Sequence, residues 1–97
     1  MVRHIVIFRL NEDLDAIQKQ QIMVKFRSAI EALSRKLDII RHIEVGFNAN
    51  EDEKCDICLY SEFDSMEDVN TYKKYPDHVE ASSELKKYVV ERACVDF

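Results

Sequence analysis

Four stretches of the chain combine β-branched and aromatic residues with alternating apolar and polar positions, a pattern typical of β-strands. The predicted strands are residues 2–10, 39–47, 54–63 and 90–97. In the first of them Val6 and Phe8 share one face, whereas Ile5 and Ile7 share the other. Because both faces carry apolar side chains, we expect both sides of this strand to be covered.

Helical spacing of apolar residues marks the segments between these strands. From about residue 15 to residue 36 the apolar positions recur every three or four residues and predict a long amphipathic helix. Its apolar stripe consists of Ile22, Phe26, Ala29, Ile30, Leu33 and Leu37. A second helical segment follows Ser65, which is a suitable N-cap residue.

The only proline of the chain, Pro76, lies inside this second helical segment. Proline lacks a backbone N–H and disfavours helical geometry in the residue before it. We therefore expect one helix to end near Lys74 and another to begin with Pro76 in its first turn. The apolar stripes on the two sides would then bring Tyr72 and His78 toward one cavity, since each residue lies on the stripe of its own helix.

The element order is β-α-β-β-α-β, which predicts an α+β, ferredoxin-like fold. In this fold a four-stranded antiparallel sheet has its helices on one face only, and we expect residues 1–97 to form a single domain. The other face would expose Ile5 and Ile7 as an apolar patch that a monomer does not favour. Packing two such faces against each other predicts a symmetric homodimer.

Charge and hydropathy exclude several classes of partner. The formal net charge is -5 and the basic residues are scattered, which argues against nucleic acid and anionic membranes. No stretch approaches the roughly 20 apolar residues of a membrane helix, and the N-terminus has no signal-peptide pattern. We therefore expect a cytoplasmic protein.

The three cysteines include a C-x-x-C pair, Cys55 and Cys58, beside the separate Cys94. An odd number of cysteines in a chain that shows no secretory-signal pattern argues against a disulfide framework. Residues three apart on a strand point to opposite faces, so the C-x-x-C pair is not expected to share a metal. We interpret all three as reduced thiols that fill space.

Four segments of the chain form one ordered set, residues 2–8 (VRHIVIF), 43–48 (IEVGFN), 72–79 (YKKYPDHV) and 95–97 (VDF). In this order and at this spacing they resemble the stress-responsive dimeric α/β-barrel (Dabb) family. The resemblance spans nearly the whole chain and implies a homodimer whose two sheets close into an α/β barrel. The family often reads His-Pro-x-His across the helix break, and here Tyr75 replaces the first histidine.

The resemblance also implies roles for single residues. A plant polyketide cyclase of this family closes a ring by aldol condensation, using a tyrosine and a histidine that match Tyr72 and His78. His78 would then be the general base next to a carbonyl, and Tyr72 the partner of the carbonyl or oxyanion. The candidate residues for binding a small apolar or carbonyl-containing ligand are His4, Val6, Phe8, Phe26 and Tyr75. This chemistry needs no metal, and we expect no cofactor.

Three functions remain open at this point, so the sequence leaves undecided whether the protein is an enzyme. The first is a homodimer with a pocket for a small apolar ligand and an undefined biochemical role. The second is a cyclase-like enzyme, and the third, by fold analogy alone, is a cofactor-independent or haem-type monooxygenase. Each candidate histidine and tyrosine also has a purely structural alternative as a packed core side chain.

Overall fold

The chain forms four strands and three α-helices in a computed structural model that describes residues 1–97. The strands are β1 (Val2–Leu10), β2 (His42–Phe47), β3 (Ile57–Phe63) and β4 (Val89–Asp96). The helices are α1 (Ala16–Glu31), α2 (Met66–Lys74) and α3 (Pro76–Lys86), and a short 3₁₀ helix, Ala32–Arg35, continues α1. This order confirms the predicted β-α-β-β-α-β pattern, with the second helix broken in two.

The four strands form one sheet in the order β2-β3-β1-β4, and every neighbouring pair is antiparallel. The predicted ferredoxin-like fold is therefore confirmed. The helices cover one face, where His4, Val6 and Leu10 of β1 are buried. On β3 the alternate residues Ile57, Leu59, Ser61 and Phe63 are buried on that side.

Three predicted element boundaries were wrong by three or more residues, whereas β4 is shifted by only one residue from the predicted range 90–97. The α-helix α1 ends at Glu31, and only the tighter 3₁₀ turn reaches Arg35. Strand β2 begins at His42 rather than at residue 39, because Ile40 fills the core from a turn and is 9% exposed. Strand β3 begins at Ile57 rather than at residue 54, because its pairing with β2 ends at the partners Phe47 and Ile57.

Local sequence signals account for the helix ends. The side chain of Asp15 accepts a hydrogen bond from the backbone N–H of Gln18, whose own side chain caps the Asp15 N–H, so α1 begins with a capping box. The Ser65 hydroxyl accepts from the N–H of Asp68 at 3.2 Å and starts α2. Tyr75 is extended, with φ -61° and ψ 133°, and Pro76 opens α3, as its covalent geometry predicts.

The sheet face that points away from the helices is apolar along its centre. Ile5 pairs with Tyr60 and Val95, and Ile7 pairs with Cys58 and Ala93, so these six residues share one side of the sheet. We call this set the open face. Ile7 is 38% exposed and Val95 is 58% exposed, because no helix or loop of the same chain covers them.

The cysteines of the C-x-x-C pair do not approach one site. Cys55 precedes β3 and is exposed, whereas Cys58 lies within β3 on the open face. All three cysteines are free thiols, and burial raises the pKa of Cys58. None of the helices has the length and apolar character that crossing a bilayer requires.

Candidate functional site

The break between α2 and α3 positions His78 in the first turn of α3. A helix end leaves its last carbonyl groups without intrahelical partners. His78 uses one of them, because its Nδ1 lies 3.1 Å from the carbonyl oxygen of Lys73. A carbonyl can only accept, so Nδ1 of the neutral ring carries the proton and Nε2 keeps its lone pair. The break between α2 and α3 thus determines which ring nitrogen of neutral His78 carries the proton.

Tyr72 lies between the two histidines of the site. Its ring centroid is 4.5 Å from that of His78 and 6.0 Å from that of His4, and both pairs meet edge to face. Phe63 packs on the same ring at 5.0 Å. The side chain of Tyr72 is 0% exposed, so this aromatic group belongs to the core as well as to the site.

The Tyr72 hydroxyl is buried and has no hydrogen-bond partner. Buried polar groups are nearly always paired, so an orphan hydroxyl is unusual. Burial also raises the pKa of Tyr72 far above its ordinary value, because a phenolate would be costly in this surrounding. The hydroxyl therefore stays protonated, and its proton is not used in any hydrogen bond.

Burial lowers the pKa of His78 below its ordinary value, and the hydrogen bond to the Lys73 carbonyl only partly opposes this effect. The positive charges of Lys73 and Arg92, and of His4 when protonated, act in the same direction as burial. His78 is therefore neutral near pH 7, which is the form that can accept a proton.

A cavity of about 390 Å³ lies between the sheet and α3, with His4 and His78 both in its wall. We call it the histidine cavity. Its apolar wall contains Val6, Phe8, Phe26 and Leu59. Four of the five residues predicted to contact a ligand thus line one space.

Two predicted site residues do not line the histidine cavity. Tyr75, at the helix break, is half-buried and packs against the core instead. Tyr72 is adjacent through its ring contacts, but it is not part of the wall. The fully enclosed position of its ring explains why the hydroxyl does not border the space.

Several polar residues of the histidine cavity were missed by the sequence analysis. Lys73, Lys86 and Arg92 contribute three positive charges to its wall, and Ser82 contributes a hydroxyl. The four-residue spacing of 78, 82 and 86 on one helix places Ser82 on the stripe of His78, and the same spacing is the signal that identifies Lys86. Arg92 comes from β4, and no local pattern connects it with α3.

A second polar group, also missed, surrounds His4. The Nδ1 of His4 forms a hydrogen bond with the carboxylate of Asp96 and lies 3.8 Å from the Sγ of Cys94. His4 is 2% exposed, so Asp96 is the partner that satisfies a buried imidazole. The alternation of β4 places residues 94 and 96 on one side, but only the pairing with β1 brings them to His4.

The lowered pKa of His78 predicts a pH-dependent contribution to stability. The unfolded chain binds more protons below the ordinary histidine pKa of about 6.5, so the contribution is present above that pH and is lost as the pH falls through the lowered pKa. We expect the melting temperature of the parent protein to fall more steeply between about pH 7 and pH 5 than that of His78→Gln.

Thermal unfolding followed by circular dichroism at a series of pH values measures this difference. His42→Gln is the matched control, because His42 is an exposed histidine on β2 whose side chain has Glu44 as its only hydrogen-bond partner. Its melting temperature should follow the pH as steeply as that of the parent. Equal slopes for His78→Gln and the parent would contradict the prediction.

The chain is similar to known proteins over nearly its whole length. The sequence profile of the family described as the Stress responsive A/B Barrel Domain matches residues 2–97. A dimeric protein of unknown function and ferredoxin-like fold from Bacteroides fragilis is 47% identical, with a TM-score of 0.96. The similarity covers 99% of this chain and 93% of that one. Among curated proteins, no sequence matches this chain significantly.

More distant structures share the fold but have different described activities. A hydroxynitrile lyase from Passiflora edulis is 19% identical with a TM-score of 0.74, covering 99% of this chain and 90% of its own. A candidate antibiotic biosynthesis monooxygenase from Nitrosomonas europaea is 13% identical with a TM-score of 0.81, covering 100% and 96%. Similarity at this level shows the fold alone. The profile match over residues 2–97 and the 47% identity show that the chain belongs to the stress-responsive A/B barrel domain family.

Proposed function

We propose that this chain forms a homodimer that binds a small, largely apolar, carbonyl-containing ligand in the histidine cavity. The observation that carries the proposal is the cavity itself. Its volume of about 390 Å³ falls within the roughly 300–1,000 Å³ of small-molecule sites. An apolar wall with a few convergent polar groups is also the usual composition of such sites.

The charges of the cavity favour an oxygen-bearing end on the ligand. Lys73, Lys86 and Arg92 line it together with two histidines, and Glu91 is the single acidic residue of the wall. A carbonyl or carboxylate oxygen accepts hydrogen bonds from such donors. The apolar residues Phe8 and Phe26, whose rings pack edge to face at 5.7 Å, would contact the remainder of the ligand.

The homodimer is supported by the open face and by the relative from Bacteroides fragilis. Single exposed apolar residues are ordinary, but a contiguous apolar patch at the centre of a sheet indicates an interface. The relative, which is described as dimeric, is 47% identical over 99% of this chain. We propose that two open faces pack against each other across a twofold axis.

Acetophenone, a small apolar ketone, provides a direct test of binding. We expect it to shift the NMR amide resonances of residues around the histidine cavity in the ¹⁵N-labelled protein. Ethylbenzene, which has a similar shape but no carbonyl oxygen, should bind at least ~10-fold more weakly, because it leaves the polar groups of the wall without an acceptor.

Two adjacent serines offer a matched pair of variants. Ser82 lines the histidine cavity, whereas Ser83 is exposed on α3 and does not. Ser82→Trp should fill the cavity and abolish the shifts, while Ser83→Trp should bind acetophenone as the parent does. Circular dichroism establishes that both variants are folded. Equal binding by the two variants, or no binding by the parent, would refute the proposed ligand site.

A second candidate function, proton abstraction next to a carbonyl, is favoured by the state of His78. Its Nδ1 donates to the Lys73 carbonyl and its pKa is lowered, so a neutral Nε2 is available as a base beside the cavity. The unpaired hydroxyl of Tyr72 would supply a donor to the developing oxyanion if its side chain turned toward the cavity. The ring contact of 4.5 Å places the two residues side by side.

Solvent exchange separates this enzyme from a simple binding protein. With deuterium oxide as solvent, the protein should catalyse the incorporation of deuterium into the methyl group of acetophenone, and His78→Gln should abolish that catalysis. If the parent binds acetophenone but does not catalyse deuterium incorporation, the ligand-binding function stands and the role of His78 as a general base is refuted. The monooxygenase alternative gains no support from a specific feature of the cavity.

We also propose that this homodimer functions in the cytoplasm. The support is chemical, because Cys55, Cys58 and Cys94 are free thiols, and free thiols persist where the compartment is reducing. Cell fractionation with an antibody against the chain tests this location. Detection of the protein in the fraction of an oxidising compartment would contradict it.

A further inference from the structure

Three potential metal ligands meet at the edge of the sheet, beside the histidine cavity. His4 on β1 pairs with Asp96 on β4, and the next aligned pair is Val6 with Cys94. Directly paired residues of antiparallel strands point to the same side. The side chains of His4, Cys94 and Asp96 therefore share one side of two neighbouring strands.

Two of the three distances between the donor atoms are close to those of a tetrahedral metal centre. Bonds of about 2.0–2.3 Å from zinc to nitrogen, oxygen and sulfur place neighbouring ligand atoms about 3.5 Å apart. The Sγ of Cys94 lies 3.8 Å from Nδ1 of His4 and 3.9 Å from a carboxylate oxygen of Asp96. Nδ1 of His4 and the other carboxylate oxygen are in hydrogen-bond contact. A small movement of the Asp96 side chain would separate these two atoms to the distance that a shared metal ion requires.

A catalytic relay does not explain this arrangement. In a relay of thiol, imidazole and carboxylate, the thiol and the acid contact opposite nitrogens of the ring. Here Cys94 and Asp96 both contact Nδ1 of His4. A nitrogen, a sulfur and an oxygen donor, all within 4.8 Å of one another, are instead suited to sharing a cation.

We propose that Nδ1 of His4, Sγ of Cys94 and the carboxylate of Asp96 bind one divalent transition metal ion, with zinc as the ion that this donor set suits. Zinc accepts nitrogen, sulfur and oxygen ligands in a tetrahedral arrangement, and three protein ligands leave a fourth position for water. The neutral charge sum of Zn²⁺ with a thiolate and a carboxylate also fits a partly buried place.

Burial and access both suit a bound ion. His4 is 2% exposed and is held by the central strand β1, so one ligand is rigid. The Asp96 side chain is 24% exposed on the edge strand, which provides a route for the ion from solvent. A metal at this place would also tie β4 to β1 and raise the stability of the folded chain by mass action.

Cobalt(II) is the probe for this site, because it takes the place of zinc and has a visible spectrum. Titration of the chelator-treated protein with Co²⁺ should give the intense visible bands of tetrahedral cobalt and a thiolate-to-cobalt charge-transfer band, with one ion per chain. Added Zn²⁺ should remove both. Cys94→Ser should lose the charge-transfer band, and Asp96→Asn should bind at least ~10-fold more weakly.

The two other cysteines give matched controls. Cys55→Ser and Cys58→Ser each remove a thiol elsewhere on the chain and should retain the full cobalt spectrum. Zn²⁺ should raise the melting temperature of the parent and of both controls, but not that of Cys94→Ser. If circular dichroism shows that Cys94→Ser is unfolded, Cys94→Ala and Asp96→Asn are compared with the parent instead. Weak octahedral bands in the parent, or a charge-transfer band that depends on Cys55 or Cys58, would overturn the proposal.

Discussion

Ile7→Arg should convert the proposed homodimer into a monomer. Ile7 lies at the centre of the open face, between Cys58 on β3 and Ala93 on β4, and is 38% exposed in the single chain. In a dimer joined through this face, the arginine would bury a charge without a partner, and both copies would carry it because the interface is symmetric. A buried charge without a partner is costly, about 3–5 kcal/mol where a buried ion pair loses one member, and this cost would act against the dimer.

Light scattering coupled to size-exclusion chromatography measures the outcome. The parent should have the mass of two 11.4 kDa chains, and Ile7→Arg the mass of one. Ile17→Arg is the matched control, because Ile17 is 72% exposed on α1 and lies on the opposite side of the molecule from the open face. It should remain dimeric. A monomeric parent, or an unchanged mass for Ile7→Arg in a folded protein, would rule out dimerisation through this face.

Tyr72→Ala should destabilise the fold by about 3–5 kcal/mol, since it removes a completely buried aromatic ring and leaves a cavity. The neighbours that would lose contacts are Phe63, His4 and His78. Tyr72→Phe should change the free energy of unfolding in the opposite direction. It deletes only a hydroxyl that is buried without a partner, so it should stabilise the protein by about 1 kcal/mol.

Urea unfolding monitored by circular dichroism gives both free energies of unfolding. The comparison also bears on function, because a hydroxyl that lowers stability is retained where it has another use. We therefore expect Tyr72→Phe to be more stable than the parent and to lose the deuterium exchange into acetophenone. Destabilisation by Tyr72→Phe would contradict this prediction, since it would mean that the hydroxyl makes a stabilising hydrogen bond.

The predictions that the structure confirmed came from local covalent and periodic constraints. Pro76 ends one helix and begins another because its ring restricts two consecutive residues, whatever surrounds them. The alternation in β1 separated His4 and Val6 from Ile5 and Ile7, because side chains on a strand point to opposite faces regardless of the partner strand. These constraints were sufficient for the element order and the open face.

The boundary errors arose where packing overrode local pattern. Ile40 has the residue type of a strand but fills the core from a turn, since the sheet pairing starts only at His42. Tyr75 shares the aromatic character of Tyr72 and was grouped with the ligand-binding residues. The extended backbone before Pro76 places it away from the histidine cavity, which proximity in sequence could not reveal.

The sequence by itself determined the fold class, the break between α2 and α3, and the apolar character of both faces of β1, because each follows from residues near one another in the chain. Only the tertiary structure decided the state of the site. The neutral His78, the unpaired hydroxyl of Tyr72 and the carboxylate of Asp96 beside His4 depend on burial and on contacts between distant segments. Desolvation and convergence of donor atoms are properties of the packed molecule, so no local pattern contains them.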